Sequence, residues 1–336
     1  MVKERCNSAL LSRFCEVYIP LSPSVFTYGV PEGADIQRGS VVWVQLARRK
    51  PTLALVSRVH SDKPSFDVRY ACPHESGYVF SERYMESLEW VSKYYISSPM
   101  RTLNVFWPAD FDKFLDALLA EKSEPRGEAL SNGPEMEVCS DLPPLTGEQE
   151  TALASLVEDL DKDGFRGTLL HGVTGSGKTR VYQELVREAL KRNKRVLILV
   201  PEIGLTPQTA SRFEDYLKVP VVVLHSALSA PQKRAGYLAV LDGSAKVVLG
   251  TRSAILSPFD FDVVILDEEH DSSFKQQDPA PRYHTRDLAF HLAQKYGALV
   301  VLGSATPCLE TFRNAKAGNL KLLTLRTVRL RLRSLK

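Results

Sequence analysis

The stretch Leu169-Leu170-His171-Gly172-Val173-Thr174-Gly175-Ser176-Gly177-Lys178-Thr179 decides the fold of the second half of this chain. An apolar strand runs into a glycine-rich turn, and the turn ends in Lys-Thr where a helix begins. Backbone N–H groups of such a turn approach phosphates closely, because glycine has no Cβ in the way. Lys178 is expected to contact the outer phosphates and Thr179 to hold Mg²⁺. The predicted ATP-binding residues are Gly172, Val173, Thr174, Gly175, Ser176, Gly177, Lys178 and Thr179.

Length and composition set limits on the kind of protein. The 336 residues are enough for two domains. Lysine plus arginine (43) exceed aspartate plus glutamate (40) too slightly to indicate a nucleic-acid partner. The five cysteines form no C-x-x-C pair, so we expect no zinc site and no disulfide framework. No stretch is apolar enough to span a bilayer or to act as a signal core, which predicts a cytoplasmic protein without a membrane partner.

The chain divides into four predicted regions. Residues 1–108 contain short apolar runs broken by proline and glycine, which predicts a small antiparallel β domain of the barrel type, with a helix over 81–95 and Ser81 as its N-cap. Residues 109–144 are expected to be a polar linker with at most one amphipathic helix near 111–119. Residues 145–318 alternate strands and helices, and 319–336 form a basic tail that is either a nucleic-acid contact or a solvated chain end.

The third region predicts a parallel sheet with its ligand at the carboxyl ends of the strands. Its helical start has Thr146 and Gln149 at capping-box spacing. The expected strands are 168–171, 196–200, 221–224, 246–249, 263–267 and 299–302.

One of these strands delivers the acidic cluster Asp267-Glu268-Glu269-His270 to the same edge as the phosphate turn. Asp267 is expected near Mg²⁺, and Glu268 to orient or deprotonate the attacking water. A solvated turn is the alternative, which the phosphate turn in the same sheet disfavours. Ser304 and Thr306, after the next strand, are expected to bond the acidic cluster and pass on its nucleotide state; a tight polar turn also explains them.

Three further strand ends carry hydroxyl or guanidinium groups, at Thr206, Ser226, Thr251 and Arg252. Such groups hold a polynucleotide backbone without reading its sequence. Helix capping alone explains each of them, so only their joint order along the chain favours DNA contacts.

That order resembles superfamily 2 helicases, and the spelling of the motifs resembles the family of primosomal replication-restart helicases. The strings that carry the resemblance are GVTGSGKT at 172–179, PEIGLTPQ at 201–208, DEEHDSSFKQQ at 267–277 and RYHTRD at 282–287. The resemblance implies a RecA-like ATP-binding lobe with ATP and Mg²⁺ as cofactors and 3′ to 5′ DNA unwinding. It also implies forked or single-stranded DNA, other primosome proteins and single-strand-binding protein as partners.

The resemblance assigns roles to further residues. Gln149 corresponds to a glutamine that reads adenine, although capping explains it equally well. The segment 274–283 corresponds to a loop that couples single-strand binding to ATP hydrolysis, in which aromatic rings stack on bases and basic groups meet phosphates. A surface loop with a turn at 279–281 is the alternative. The residues assigned here to coupling or DNA contact are Phe274, Lys275, Arg282, Tyr283 and His284.

The N-terminal domain resembles the family's module for the 3′ end of a nascent strand. Phe26, Tyr28, Arg48 and Arg49 are its predicted DNA contacts. Thr27 stands where the family has aspartate and Ala47 where it has glycine, which leaves 3′-end preference open while basic groups still meet phosphates.

The family also has a winged-helix domain, a second lobe with an arginine finger and a cysteine-rich zinc region. The resemblance therefore implies a truncated chain that largely lacks the winged helix, the second lobe and the zinc cysteines. Because an ATP site of this class lies between two lobes, the alternative function is a non-catalytic DNA- and nucleotide-binding fragment. An unrelated P-loop enzyme, such as a small-molecule kinase, is a third interpretation.

Overall fold

The computed structural model describes residues 5, 6, 12–20, 22, 24–107, 111–123 and 143–327. Two compact units divide the chain. Unit 1 comprises Met1–Ala129, Leu256–Phe259 and Gln277–Tyr283, and unit 2 comprises Leu130–Ile255, Asp260–Gln276 and His284–Lys336. Most of the predicted linker and the end of the predicted basic tail, residues 124–142 and 328–336, lie outside the described residues.

Unit 1 contains a five-stranded antiparallel sheet in the order β3-β2-β5-β4-β7, which confirms the predicted antiparallel β domain. A bridge between Gly29 and Tyr70 also ties edge strand β3 to the segment that leads into β7. The alternation of Cys15 and Val17 with Glu16 places apolar side chains on one face of β2, where they join a buried core. The strands of this unit are β1 (Arg5–Cys6), β2 (Phe14–Tyr18), β3 (Phe26–Gly29), β4 (Val41–Val44), β5 (Thr52–His60), β6 (Val68–Arg69) and β7 (Cys72–Pro73).

Three helices complete unit 1: α1 (Glu82–Tyr94), α2 (Pro99–Phe106) and α3 (Phe111–Ser123). Ser81 caps α1 as predicted, since its side chain accepts a hydrogen bond from the N–H of Tyr84. Leu88 and Val91 are fully buried on the apolar face of this helix. The helix α3 lies where the sequence allowed one within the linker.

Unit 2 is a seven-stranded parallel sheet in the order β10-β11-β9-β12-β13-β8-β14 with helices between the strands. The six strands predicted from valine- and leucine-rich runs are all present. The central strands are buried along their length, as expected for a parallel sheet that is covered on both faces. The strands are β8 (Arg166–Gly172), β9 (Val196–Leu199), β10 (Val221–Leu224), β11 (Val247–Gly250), β12 (Val263–Asp267), β13 (Leu299–Ser304) and β14 (Lys321–Leu325). The helices are α4 (Gly147–Leu160), α5 (Lys178–Lys191), α6 (Pro207–Leu217), α7 (Ala230–Leu241), α8 (Thr285–Tyr296) and α9 (Leu309–Lys316).

The strand β14 corrects the predicted start of the basic tail at residue 319. Residues 321–325 pair in parallel with β8 and form one edge of the sheet. An edge strand is half-exposed, so it lacks the continuous apolar run that marks the central strands. Lys321 forms an ion pair with Asp159 of α4, and this basic side chain contributed to the prediction of a tail.

The strand order places the predicted site. Strand β13 lies between β8, which leads into the phosphate turn, and β12, which ends in the acidic cluster. The carboxyl ends of these strands therefore meet at one edge of the sheet, as the sequence predicted.

Candidate nucleotide site and DNA contacts

The phosphate turn ends at Gly177, the N-cap of α5. Its φ of 85° is in the left-handed region, which glycine adopts without steric cost. A glycine has no side chain to cap the helix, whereas Thr146 and Thr206 cap α4 and α6 with their hydroxyl oxygens. The first N–H groups of α5 therefore lack a side-chain acceptor, and this arrangement suits an anion.

Lys178 lies between the turn and the acidic cluster. Its Nζ donates a hydrogen bond of 2.9 Å to the carbonyl oxygen of Gly172, and it lies 3.6 Å from Oε1 of Glu268. Only 7% of Lys178 is exposed. The sheet thus brings together the predicted phosphate-binding cation and the predicted catalytic carboxylate, which are 90 residues apart in the sequence.

Asp267 is held by a tyrosine that the sequence analysis did not identify. The hydroxyl of Tyr182, on α5, donates a 3.0 Å hydrogen bond to Oδ1 of Asp267. Burial raises the pKa of the Asp267 carboxyl above its usual value, and the charge of Glu268 acts in the same direction. A divalent cation bound here would add to the positive charge of Lys178 and favour the ionised carboxylate of Asp267.

Gly303 of β13 makes the contact between Tyr182 and Asp267 possible. A Cβ at position 303 would overlap the Tyr182 hydroxyl oxygen and lie 2.8 Å from ring carbon Cζ. A glycine inside a buried strand is the sequence signal for such a close approach, so this pair was detectable in principle.

His270 links the acidic cluster to the end of β13 and to the segment after it. Its Nδ1 lies 2.8 Å from Oγ of Ser304, and its Nε2 lies 3.4 Å from Oγ1 of Thr306. The N–H of Thr306 donates to the same Ser304 oxygen at 3.0 Å. Ser304 and Thr306 therefore contact the acidic cluster through histidine, in the place where the sequence predicted a connection.

A cavity of about 610 Å³ opens beside these groups within unit 2. Thr179, Asp267 and Glu268 line one part of it, so the residues predicted to hold Mg²⁺ and to activate water face a common space. The donor set fits a magnesium nucleotide, since Mg²⁺ prefers hydroxyl and carboxylate oxygens. The other lining residues include Thr174, Tyr182, Pro201, Ile203, Thr209, Arg212, His270 and Thr306.

Gln149 is used within the protein. Its Oε1 accepts the N–H of Thr146 at 3.0 Å, which completes the predicted capping box. Its Nε2 donates to the carbonyl oxygen of Ser176 at 2.9 Å, and only 6% of the residue is exposed. In this conformation the amide supports the phosphate turn, so adenine reading stays a prediction.

The predicted base-stacking rings of the coupling segment need a correction. Phe274 and Tyr283 are both fully buried, so neither ring presents a face to solvent in this conformation. Lys275 and His284 form an antiparallel bridge, and Thr285 donates from its hydroxyl to the carbonyl oxygen of Phe274 at 3.1 Å. Arg282 is exposed, as a phosphate contact requires.

Two of the strand-end contacts also need correction. Thr251 is 4% exposed, so its hydroxyl is not presented to a DNA backbone. Arg252 donates to the carbonyl oxygens of Ser273 and Lys275 at 2.8 and 3.1 Å, and so it holds the protein's own chain. Thr206 caps α6, and Ser226 is exposed after β10.

In unit 1 the predicted DNA residues differ in accessibility. Arg48 and Arg49 are exposed, and Phe26 is half-buried. Tyr28 is 4% exposed, and its hydroxyl donates to the carbonyl oxygen of Gln45 at 3.2 Å. Ala47 has a φ of 51°, a conformation that glycine adopts readily and other residues rarely adopt.

Comparison with known proteins agrees with this geometry. Residues 143–309 match the family described as "Type III restriction enzyme, res subunit", and residues 16–108 match the "3'DNA-binding domain (3'BD)". Replication restart protein PriA of Bacillus subtilis is 44% identical over 184 residues, which are 54% of this chain and 23% of that protein. The protein of the same name from Haemophilus influenzae is 49% identical over 182 residues, 54% of this chain and 25% of its own length. That of Chlamydia pneumoniae is 30% identical over an alignment of 365 residues, covering 88% of this chain and 48% of the relative.

The parallel sheet, the phosphate turn and the acidic strand end define a RecA-like helicase lobe, and an antiparallel DNA-binding module precedes it in the sequence. The matches span between about a quarter and about half of the relatives' own length. Over most of its length the chain is similar to the replication restart protein PriA.

The described part of the chain lacks two further features. No helix there is both long and apolar enough to cross a membrane. Within the same residues, no three His, Cys, Asp or Glu side chains form a group that would hold a metal ion.

Proposed function

We propose that this chain provides the ATP-binding lobe and a DNA-binding module of a replication-restart helicase that acts on forked or single-stranded DNA. The observation that carries the proposal is the distance of 3.6 Å between Lys178 and Glu268, a carboxylate that lines a cavity together with Thr179 and Asp267. Other primosome proteins and single-strand-binding protein are its proposed partners, because the relatives described above are named as replication restart proteins.

The residues have separate roles in this proposal. The turn 172–179 and Lys178 bind the phosphates, and Thr179 and Asp267 hold Mg²⁺. A bound magnesium nucleotide supplies the phosphoanhydride bond that is broken. Glu268 accepts a proton from the attacking water or orients it. His270 transmits changes in the position of Glu268 to Ser304 through its contact with the Ser304 hydroxyl.

Steady-state ATP hydrolysis with and without forked DNA tests the catalytic part. We expect DNA-stimulated hydrolysis that Lys178→Ala abolishes, because the phosphates lose their cation. Lys191→Ala, at the other end of α5 and in contact with Glu188, is the matched control and should leave turnover unchanged. Nucleotide and DNA binding without turnover in the wild type would instead support the non-catalytic alternative.

Fluorescence anisotropy with labelled forked DNA tests the DNA module. We expect Arg48→Ala with Arg49→Ala to weaken binding and to reduce its salt dependence by about two counterions. The control is Arg58→Ala, whose guanidinium already pairs with Glu16 at 3.0 Å. A wild type with no DNA affinity at low salt would refute the DNA-binding part and favour the small-molecule kinase interpretation.

A further inference from the structure

Glu268 has an unusual backbone. Its φ is 52°, in the left-handed region that a residue with a Cβ enters only at a cost in conformational energy. Such a conformation persists when neighbouring contacts determine it more strongly than the residue itself.

Glu269, the next residue, has a side chain that is deeply buried and surrounded by donors. The residue is 1% exposed. Its Oε1 accepts the N–H of Cys308 at 2.8 Å, and its Oε2 accepts the hydroxyl of Thr311 at 3.1 Å. The guanidinium of Arg286 lies 3.3 Å from the same Oε2.

Arg286 binds more than the carboxylate. Its Nη1 donates to Oγ1 of Thr311 at 3.1 Å and contacts Sγ of Cys308. Its side chain is 15% exposed. Because Arg286 lies in the first turn of α8 and Thr311 lies on α9, the Glu269 carboxylate connects the end of β12 to two helices.

We propose that Glu269 and Arg286 are positioning residues whose buried ion pair anchors the chain after β12 and thereby holds Glu268 in the left-handed conformation that places its carboxylate beside Lys178. The anchoring concerns the ligand-free chain, whereas its consequence for ATP hydrolysis rests on the proposed function. The alternative origin is the local turn, where the N–H of Asp271 donates to the carbonyl oxygen of Glu268 at 2.9 Å. The experiment below separates the two.

Glycine and alanine at position 268 measure the strain without the carboxylate. Where φ is positive, glycine is the more stable residue, while in relaxed backbone alanine is favoured because glycine loses more entropy on folding. In the otherwise wild-type chain we expect Glu268→Gly to have about a tenfold higher folding equilibrium constant than Glu268→Ala. Glu269→Ala together with Arg286→Met removes both charges of the ion pair, so neither is left unpaired. In a chain with this double substitution we expect the folding equilibrium constant of Glu268→Ala to exceed that of Glu268→Gly by about two- to fivefold.

The matched control is a second buried carboxylate in unit 2 that pairs with arginine. Glu184 is 3% exposed and lies 2.6 Å from Arg187 and 2.7 Å from Arg180. Glu184→Ala with Arg187→Met should destabilise unit 2. In this background the folding equilibrium constant should still be higher for Glu268→Gly than for Glu268→Ala. Urea unfolding followed by far-UV circular dichroism gives the equilibrium constants. Glycine remaining ahead in the Glu269→Ala, Arg286→Met chain would overturn the proposal and assign the strain to the turn.

A milder variant tests the same proposal if the double substitution does not fold. Glu269→Gln keeps the volume and one acceptor but loses the charge that Arg286 faces. In this background we expect the ratio of the folding equilibrium constants of Glu268→Gly and Glu268→Ala to fall at least twofold. An unchanged ratio would overturn the proposal that Glu269 and Arg286 hold Glu268 in its conformation.

The catalytic consequence has its own measurement. Glu269→Gln should lower DNA-stimulated turnover by about tenfold or more, because misplacing a reacting group is costly. Affinity for a fluorescent ATP analogue with Mg²⁺ should stay within about threefold of wild type, because Lys178 and Thr179 are untouched. Equal loss of affinity and turnover would contradict positioning. A wild type that binds no nucleotide refutes the proposed function, while the glycine and alanine comparison still decides on the anchor.

Discussion

The contact between Tyr182 and Asp267 over Gly303 gives the sharpest prediction for stability. Gly303→Ala places a methyl group where the Tyr182 hydroxyl now lies and 2.8 Å from its ring. Tyr182 is 1% exposed and packs in the core of unit 2, so its ring can move only towards the cavity that it lines, at the cost of its core contacts. Overpacking of a core costs about 1–3 kcal/mol, and losing a hydrogen bond to a carboxylate costs about 1.5–3 kcal/mol. We therefore expect Gly303→Ala to lower the free energy of unfolding by about 2.5–6 kcal/mol.

Urea unfolding followed by far-UV circular dichroism measures this loss. The three tryptophans, Trp43, Trp90 and Trp107, all lie in unit 1, so their fluorescence recorded alongside separates its unfolding from that of unit 2. The transition of unit 2 is expected to move to lower urea.

Tyr182→Phe is the second arm of this prediction. It removes the hydroxyl that the new methyl group would overlap, so the double variant should be about 1–3 kcal/mol more stable than the sum of the two single effects predicts. Ala289→Gly, at a buried position of α8, is a control for general core changes and should show no such coupling to Tyr182→Phe. Gly303→Ala within about 1 kcal/mol of wild type, or strict additivity with Tyr182→Phe, would refute the reasoning.

Three further predictions concern single residues. Asp267→Asn should stabilise the ligand-free chain at neutral pH, because burial and the Glu268 charge raise the pKa of Asp267 and so penalise its ionised form. For the same reason the wild type should lose stability as pH rises from the ordinary carboxyl pKa to the raised pKa of Asp267. Thermal melts of Asp267→Asn should not show this pH dependence. Equal pH dependence of stability in wild type and variant would contradict the prediction. Ala47→Gly should stabilise unit 1 by about 1 kcal/mol in tryptophan-monitored urea unfolding, because it relieves a φ of 51°, and a loss of stability would refute this. Gln149→Ala should weaken binding of fluorescent ADP and ATP analogues, since Ser176 loses its donor, whereas the exposed Glu150→Ala should not; equal binding by both variants would contradict the supporting role.

The parallel sheet and its ligand edge were predictable because their signals are local. Runs such as Val263-Val264-Ile265-Leu266 leave no polar face, and only a strand covered on both sides accommodates them. The capping box at Thr146 follows from two residue types at a fixed spacing. Once both the phosphate turn and Asp267-Glu268 are placed at carboxyl ends of one sheet, the proximity of Lys178 to Glu268 follows.

The parts that the sequence did not predict depend on partners distant along the chain. An aromatic ring in a polar segment is equally compatible with base stacking and with burial, and only the fold shows that Phe274 and Tyr283 are buried. The guanidinium of Arg252 binds two carbonyl oxygens more than twenty residues away, and no local pattern records such a contact. Strand β14 was not predicted because an edge strand tolerates both polar and apolar residues and so carries no continuous apolar run.

Strand β14 also has a mechanical consequence. Its last residue, Leu325, pairs with Gly172, the first residue of the phosphate turn, and the next two N–H groups, of Arg326 and Thr327, are held by Glu148 at the start of α4. Force applied to the backbone at residue 327 would therefore load α4 through Glu148 and strand β8 through its ladder with β14. Because that ladder includes Gly172, the backbone of the phosphate turn would share the load.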